Sequence, residues 1–203
     1  MTRESTSSDQ SVARWVIGLY SETADVRGGR SSTDSFWLST TSKTTSHLPF
    51  AAMSINRIVD LKLIEFQADV GCYLVAERTM RNVALKDLVE DDLPGIVGIH
   101  AMIPSPSLGS RDSDRYWRDT HAPLALKVHD VMTHYYQLSV REVLRGPDYS
   151  GFGLCCCATD EDLRLRFFDS EEGRRAILED VVAFSDTKRS PRRVVANFVS
   201  VGA

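Results

Sequence analysis

The sequence lacks the features that mark membrane, secreted and nucleic-acid-binding proteins. No apolar run approaches the length of a membrane span, and residues 1–10 lack the apolar stretch of a signal peptide. The 24 basic and 28 acidic residues give a net charge of only −4, so no overall field attracts nucleic acid or an anionic membrane. We expect neither partner, and we expect residues 1–10 to form a disordered tail.

Cysteine is also scarce, and the four examples are Cys72 and the run Cys155-Cys156-Cys157. Three adjacent side chains alternate across a strand and so do not converge on one metal ion. This arrangement is not that of a disulfide-rich protein either. The sequence therefore predicts a protein of the reducing cytoplasm.

Motifs that bind metals or phosphate groups are missing too. The histidines are His47, His100, His121, His129 and His134, and no two form an HxxxH or HxH pair supported by carboxylates. Gly28-Gly29 lacks the context of a phosphate-binding loop. The basic run at 188–193 either contacts an anion or, as the simpler interpretation, forms a solvated turn before the last strand. We therefore expect no metal and no organic cofactor.

What the sequence does contain is two halves of similar pattern, with 42% hydrophobic residues to form a core. In the first half we expect a strand at 13–20, an irregular helix at 33–52, strands at 55–66 and 68–76, and a helix at 81–93. In the second half we expect strands at 96–103, 132–144, 151–158 and 193–201. Helices are expected at 110–129, with a break, and at 160–185, with an interruption at Gly173.

Each half thus has the order β-α-β-β-α, which is typical of the ferredoxin-like α+β fold with helices on one face of an antiparallel sheet. We predict two tandem units, at 11–94 and 95–203, whose open sheet faces meet to make a barrel with helices outside. The first unit either lacks its own fourth strand or shares the strand at 96–103. The barrel closes either within one chain or between the two chains of a homodimer.

A tryptophan and a histidine lie one helical turn apart in the stretch from Asp114 to Leu124. Pro123 cannot donate a hydrogen bond to the carbonyl of Asp119, so we expect the helix to end or kink beside His121. His121 is then either a general acid or base, since its ordinary pKa suits proton transfer near neutral pH, or a structural histidine that caps the broken helix.

Tyr116-Trp117, His121-Ala122-Pro123 and the later pair Tyr135 and Gln137 resemble the EthD-like family of the dimeric α/β-barrel superfamily. The resemblance covers roughly 96–199, and the run at 160–184 that includes Asp180 and Phe184 also resembles the family. The sequence departs from the family pattern at Ser113, where an aromatic residue is usual. In the first half, Phe36-Trp37 and His47-Leu48-Pro49 are only an echo of the motif, because ten residues separate Trp37 from His47.

The resemblance implies a barrel interior that binds a small hydrophobic or aromatic molecule. Relatives in the superfamily include cofactor-independent monooxygenases, muconolactone-type isomerases and polyketide cyclases or dehydratases, and some distant members bind haem. Our first hypothesis is a cofactor-independent lyase, dehydratase, isomerase or cyclase that uses acid–base chemistry on an aromatic or polyketide-like molecule. The alternatives are a cofactor-free monooxygenase and a non-catalytic small-molecule-binding protein.

The strands supply further candidates for the site. Strand alternation places His100 and Met102 on the face opposite Val97 and Ile99. We expect the apolar face to contact helices and His100 to point into the barrel, with Gly98 leaving room for a ligand.

In the strand at 132–144, only one pair of side chains can face the cavity. His134 and Tyr136 are the more reactive pair, whereas the resemblance favours Tyr135 and Gln137. The predicted catalytic residues are His121, His100, His134 and Tyr136, and the predicted substrate-binding residues are Trp117, Tyr135, Gln137, Met102 and Tyr116.

Overall fold

The computed structural model describes residues 15–21, 36–40, 48–58, 61–83 and 95–199. The strands are β1 (Trp15–Tyr20), β2 (Phe36–Thr40), β3 (Ala52–Arg57), β4 (Gly71–Asn82), β5 (Ile96–Met102), β6 (Met132–Arg145), β7 (Gly151–Cys157) and β8 (Val194–Val199). The α-helices are α1 (Leu61–Gln67), α2 (Gly109–Tyr116), α3 (Ala122–Val128), α4 (Asp160–Leu165) and α5 (Glu171–Phe184), and a π-helical segment (Trp117–His121) joins α2 to α3.

The strands form one closed barrel in the order β1-β3-β2-β8-β5-β7-β6-β4. Every pairing is antiparallel. The four strands before residue 83 are neighbours in the barrel, as are the four strands after residue 95. The junctions are β2 with β8 and β4 with β6, so the barrel closes within a single chain.

The interior of the barrel is an apolar core to which all eight strands contribute. Val97, Ile99 and Ala101 of β5 belong to it, together with Leu138 of β6 and Phe152 of β7. A second apolar cluster lies on the outside of the later strands, where α3, α4 and α5 cover them. A third cluster joins α1 to the outside of the earlier strands.

The predicted fold class is wrong, because the structure is one closed eight-stranded antiparallel barrel and not two ferredoxin-like units with helices on a sheet. The described elements of the first half run β-β-β-α-β, not β-α-β-β-α. The expected irregular helix at 33–52 contains strands β2 and the start of β3. Thr, Phe and Trp suit strands, and pairing of β2 with both β3 and β8 outweighs the Ser/Thr-rich composition.

The predicted strand at 55–66 is wrong beyond Arg57, because residues 61–67 form α1. Ile64 of α1 and Ala68, just after the end of the helix, are four residues apart and both buried. A helix of 7 residues has too few turns for its period to be distinguished from strand alternation. The helix expected at 81–93 begins inside β4, and its remainder falls largely outside the described residues.

The second half agrees with the predicted elements, since β5, β6, β7 and β8 lie where strands were expected. The interruption near Gly173 lies instead at residues 166–170, between α4 and α5. The hydroxyl of Ser170 accepts a hydrogen bond from the Gly173 N–H and caps α5. No helix in the described ranges is long and apolar enough to cross a membrane.

Candidate functional site

A cavity of about 450 Å³ lies between the outer wall of the barrel and the helices of the second half. Its floor is formed by side chains of β5, β6 and β7, and its other walls by the π-helical segment, α3, α5 and the segment before β8. Aromatic and aliphatic residues dominate the lining, among them Trp117, Phe167, Ile177 and Phe184. A concave, mostly apolar space with a few polar groups is the usual form of a small-molecule site.

His121 reaches this cavity from the end of the π-helical segment. The N–H of Ala122 bonds to the carbonyl of Trp117, five residues earlier, which is the π pattern. Pro123 was expected to end or kink the helix, but the chain widens into the π-helical segment and continues as α3. In this wider turn the N–H of Ala122, just before the proline, has a carbonyl partner.

The His121 ring is bound to a carboxylate from another helix. Its Nδ1 lies 2.7 Å from Oδ2 of Asp180 in α5, and both side chains are mostly buried. Because a carboxylate accepts, Nδ1 carries the proton in the neutral ring and Nε2 keeps its lone pair. Burial lowers the pKa of His121, and the bond to Asp180 offsets part of that effect. The imidazole is therefore neutral and basic at neutral pH.

Asp180 is itself held in place by aromatic residues. The Tyr116 hydroxyl donates to Oδ1 of Asp180 at 2.9 Å. Tyr116 stacks on Phe184, with ring centres 5.8 Å apart, and Phe184 also contacts the His121 ring at 4.8 Å. Tyr116 thus contacts the carboxylate and does not line the cavity.

A second hydrogen-bonded group lies on the cavity floor. The hydroxyl oxygen of Tyr135 accepts from Nε1 of Trp117 at 3.0 Å and from Nε2 of Gln137 at 3.1 Å. Gln137 also donates to the Trp117 carbonyl at 3.1 Å. Since the Tyr135 oxygen accepts two bonds, its own hydrogen remains available to a ligand. Burial raises the pKa of Tyr135, so the phenol stays protonated.

His100 and Met102 lie on the same floor. Nε2 of His100 is buried without a hydrogen-bond partner among the described residues. Burial, followed by the charge of Arg193, lowers the pKa of His100 to about 3. Cys155 also lines the floor, and burial raises its pKa to about 12, so it is an unreactive thiol at neutral pH.

Residues 105–188 match the EthD domain. This confirms the resemblance to the EthD-like family, over a shorter range than the 96–199 expected. The matched residues contain the whole His121–Asp180 pair and the Trp117–Tyr135–Gln137 group.

The fold of the whole chain also has a counterpart among solved structures. A crystal structure described as an anthrone oxidase-like protein superposes with a TM-score of 0.56 and 12% sequence identity, covering 95% of each chain. At this identity the likeness shows the fold alone. None of the curated proteins compared with the chain has significant sequence similarity.

The structure brings some predicted residues together at the cavity and separates others. His121, His100, Trp117, Tyr135 and Met102 line the cavity. Gln137 lies directly behind Tyr135 and is completely buried. The predicted orientation of β5 was wrong, because its apolar face fills the barrel and the His100 face meets the helices. The outer face of β5 is at least partly buried as well, so polarity alone could not distinguish interior from exterior.

His134 and Tyr136 lie on the other face of β6. Their rings stack with centres 6.1 Å apart, and Tyr136 packs against the core inside the barrel. The structure therefore does not bring this predicted catalytic pair to the cavity. The barrel interior, which was expected to hold the ligand, is filled by the apolar core, and the cavity lies outside the barrel wall. His47 falls outside the described residues.

Asp180, His129 and Arg193 lie at or beside the cavity and were not among the predicted site residues. Asp180 lies 59 residues from His121, and only the family resemblance of its segment drew attention to it. His129 lines the cavity, with Nδ1 at 2.7 Å from the Phe167 carbonyl, and burial lowers its pKa to about 4. Arg193 belongs to the basic run that was interpreted as a solvated turn, yet it also lines the cavity. Within the described ranges, no cluster of His, Cys, Asp and Glu could hold a metal.

Proposed function

We propose that the protein is an enzyme in which His121 removes a proton from a largely apolar, carbonyl-containing small molecule bound in the cavity. The observation that carries the proposal is the 2.7 Å contact between His121 and Asp180 at the wall of an apolar cavity. A general base must be unprotonated and oriented, and burial and Asp180 provide these two conditions. The EthD domain match is consistent with a small-molecule site in this part of the chain.

The reaction would begin with formation of an enolate. The C–H proton moves to Nε2 of His121, and the electron pair moves into the carbonyl oxygen of the substrate. The Tyr135 hydroxyl has a hydrogen free to donate to that oxygen, and two donors to its own oxygen strengthen it as a donor. Return of the proton to another carbon gives an isomerase. Its transfer to a departing β-hydroxyl, which leaves as water, gives a dehydratase. Attack on a second carbonyl gives a cyclase.

A monooxygenase is the second candidate, because the same first step produces a carbanion that dioxygen can oxidise. A solved structure with the same fold is described as an anthrone oxidase-like protein. In this reaction an anthrone and one O₂ would give the quinone and water. Oxygen is then the oxidant, and the role of His121 is unchanged.

Proton exchange tests the step that the two candidates share. The protein is incubated with 2-tetralone in D₂O under nitrogen, and loss of the acidic methylene signal is followed by NMR. We expect the wild type to accelerate exchange and His121→Ala to lose about 100-fold or more of that acceleration. Thr120→Ala, an exposed neighbour, is the matched control. Equal acceleration by His121→Ala would exclude His121 as the base, and binding without exchange in the wild type would indicate a carrier.

Oxygen dependence separates the two candidates. Anthrone is incubated with the protein in air and under nitrogen, and the quinone and consumed oxygen are measured. Quinone formation that requires both O₂ and His121 would favour the monooxygenase. Exchange under nitrogen with no enzyme-dependent oxygen uptake would favour the lyase or isomerase class.

A further inference from the structure

An arginine with no anionic partner among the described residues lies in the wall of the apolar cavity. Arg193 lines the cavity, and its guanidinium carbon is 5.4 Å from the centre of the Phe167 ring. Among the described residues, this ring contact is its one specific interaction. Asp160 exerts a weak charge effect on Arg193 but is bound to Arg164, with Nε and Oδ1 2.5 Å apart. A partly buried cation without a counter-ion loses hydration that an anion could replace.

The barrel wall fixes where Arg193 points. β5 pairs with β8 in a register that places Ile99 opposite Val194. Continued by one residue, this register places Arg193 beside His100, on the outer face of the wall. A Cβ atom at Gly98 would lie 3.0 Å from Cδ of Arg193. Gly98 was expected to leave room for a ligand, but the space it leaves is filled by the stem of Arg193.

His100 supplies a second donor at the same end of the cavity. Its Nε2 is buried without a partner among the described residues. The ring stays neutral at physiological pH, because burial and Arg193 lower its pKa to about 3. In the tautomer with hydrogen on Nε2, a neutral imidazole donates one hydrogen bond. Arg193 and His100 thus occupy neighbouring positions of the barrel wall, and neither side chain has a hydrogen-bond acceptor among the described residues.

We propose that the ligand of this cavity is an aromatic carboxylate whose carboxylate group binds Arg193 and Nε2 of His100. The planar guanidinium suits a carboxylate, and the aromatic part would lie against Trp117 and Phe167. This inference rests on the proposed function, since it takes the cavity to be the substrate site, and it adds the class of substrate. The carboxylate end would be fixed at the barrel wall, with the reacting carbon toward His121.

Binding of 2-naphthoate and 2-naphthamide, measured by isothermal titration calorimetry, tests the carboxylate site directly. The two probes have nearly the same shape and differ in charge. We expect the wild-type chain to bind naphthoate about 10- to 100-fold more tightly, as for hydrogen bonds to a charged group. Arg193→Gln should lose this preference and retain the affinity for naphthamide. Arg193→Lys, which keeps the charge, should retain a several-fold preference.

Arg192→Gln is the matched control, because Arg192 is the exposed neighbour of Arg193 and should leave the preference unchanged. Thermal unfolding of each variant verifies its fold. Equal affinities of the wild type for the two probes, or binding of neither, would overturn the proposal. So would an unchanged preference in Arg193→Gln.

The result is independent of the exchange assay. His121→Ala should keep the naphthoate preference, because His121 is not part of the carboxylate site. Preference for naphthoate without proton exchange would reject the proposed function and leave the carboxylate site intact. Proton exchange without the preference for naphthoate would reject the carboxylate site and leave the proposed function intact.

Discussion

The Nδ1 atom of His121 lies 2.7 Å from Oδ2 of Asp180, which joins the π-helical segment to α5 across 59 residues of sequence. Two opposing effects meet at this contact. Burial, the larger effect, lowers the pKa of His121, while Asp180 raises it and fixes the tautomer. The net result is a neutral ring with an oriented Nε2 at the wall of an apolar cavity.

Replacing Asp180 by Asn should reduce the exchange rate without unfolding the protein. The amide is similar in shape, but it can donate to Nδ1 and so favour the tautomer that lacks a basic Nε2. We expect a loss of about 100-fold or more in kcat, by analogy with other histidines oriented by a carboxylate. Glu179→Gln, an exposed neighbour on α5, should retain wild-type activity. Equal rates for the two variants would show that Asp180 has no positioning role.

The rate should also depend on pH in a defined direction. Only neutral His121 accepts a proton, so kcat should fall at acidic pH, with a midpoint below the ordinary value of about 6.5 for histidine. In Asp180→Asn the residual activity should have its midpoint at still lower pH, because the carboxylate that raises the pKa is gone. A pH–rate profile of both proteins measures this shift. A midpoint above that of the wild type would contradict it.

Two glycines of β7 beside Trp117 should respond differently to the same substitution. A Cβ at Gly151 would lie 2.7 Å from Cζ3 of the indole, whereas a Cβ at Gly153 would lie 3.5 Å from Cζ2. Gly151→Ala should therefore destabilise the fold by about 1–3 kcal/mol, since the buried indole must move. Gly153→Ala makes only ordinary contacts and is the matched control. Urea unfolding measures both, and equal loss of stability would show that Trp117 does not restrict this strand.

The second half of the chain was predictable because its signals agree with one another. The elements that the structure contains were indicated by the Tyr116-Trp117 and His121-Ala122-Pro123 motif, by clear strand patterns and by an apolar helix. The first half was not, because α1 is too short to show a helical period and β2 depends on partners distant in sequence. The closed barrel could not be predicted from either half alone, since its junctions join β2 to β8 and β4 to β6.

The site was predictable where a local motif carries it and missed where it depends on tertiary contacts. His121 and Trp117 share one helical turn, whereas Asp180 and Arg193 reach the cavity from distant segments. The side of β6 that faces the cavity could not be assigned by reactivity. His134 looked the more reactive residue. In the structure it lies with Tyr136 on the inner face of β6, after a register shift that follows Met132.

His129 should make the stability of the fold depend on pH. Burial, the largest effect, lowers its pKa to about 4, and the ring donates to the Phe167 carbonyl and stacks on Phe167. Above about pH 6.5 the ring is neutral in the folded and unfolded chains, so it adds no pH dependence. As the pH falls below that value, the unfolded chain takes up a proton that the folded chain does not. Stability should then fall by roughly 3 kcal/mol by about pH 4.

His129→Gln separates this effect from other acid-sensitive groups. The glutamine side chain can still donate to the Phe167 carbonyl but does not titrate. The variant should be less stable than the wild type near pH 7, because the stacked ring is lost, and should lose less stability on acidification. The pKa values of His100 and His121 are also lowered, so some dependence of stability on pH should remain in the variant. Urea unfolding at several pH values between 7 and 4 measures the two slopes, and parallel curves would show that His129 is not the neutral buried ring described above.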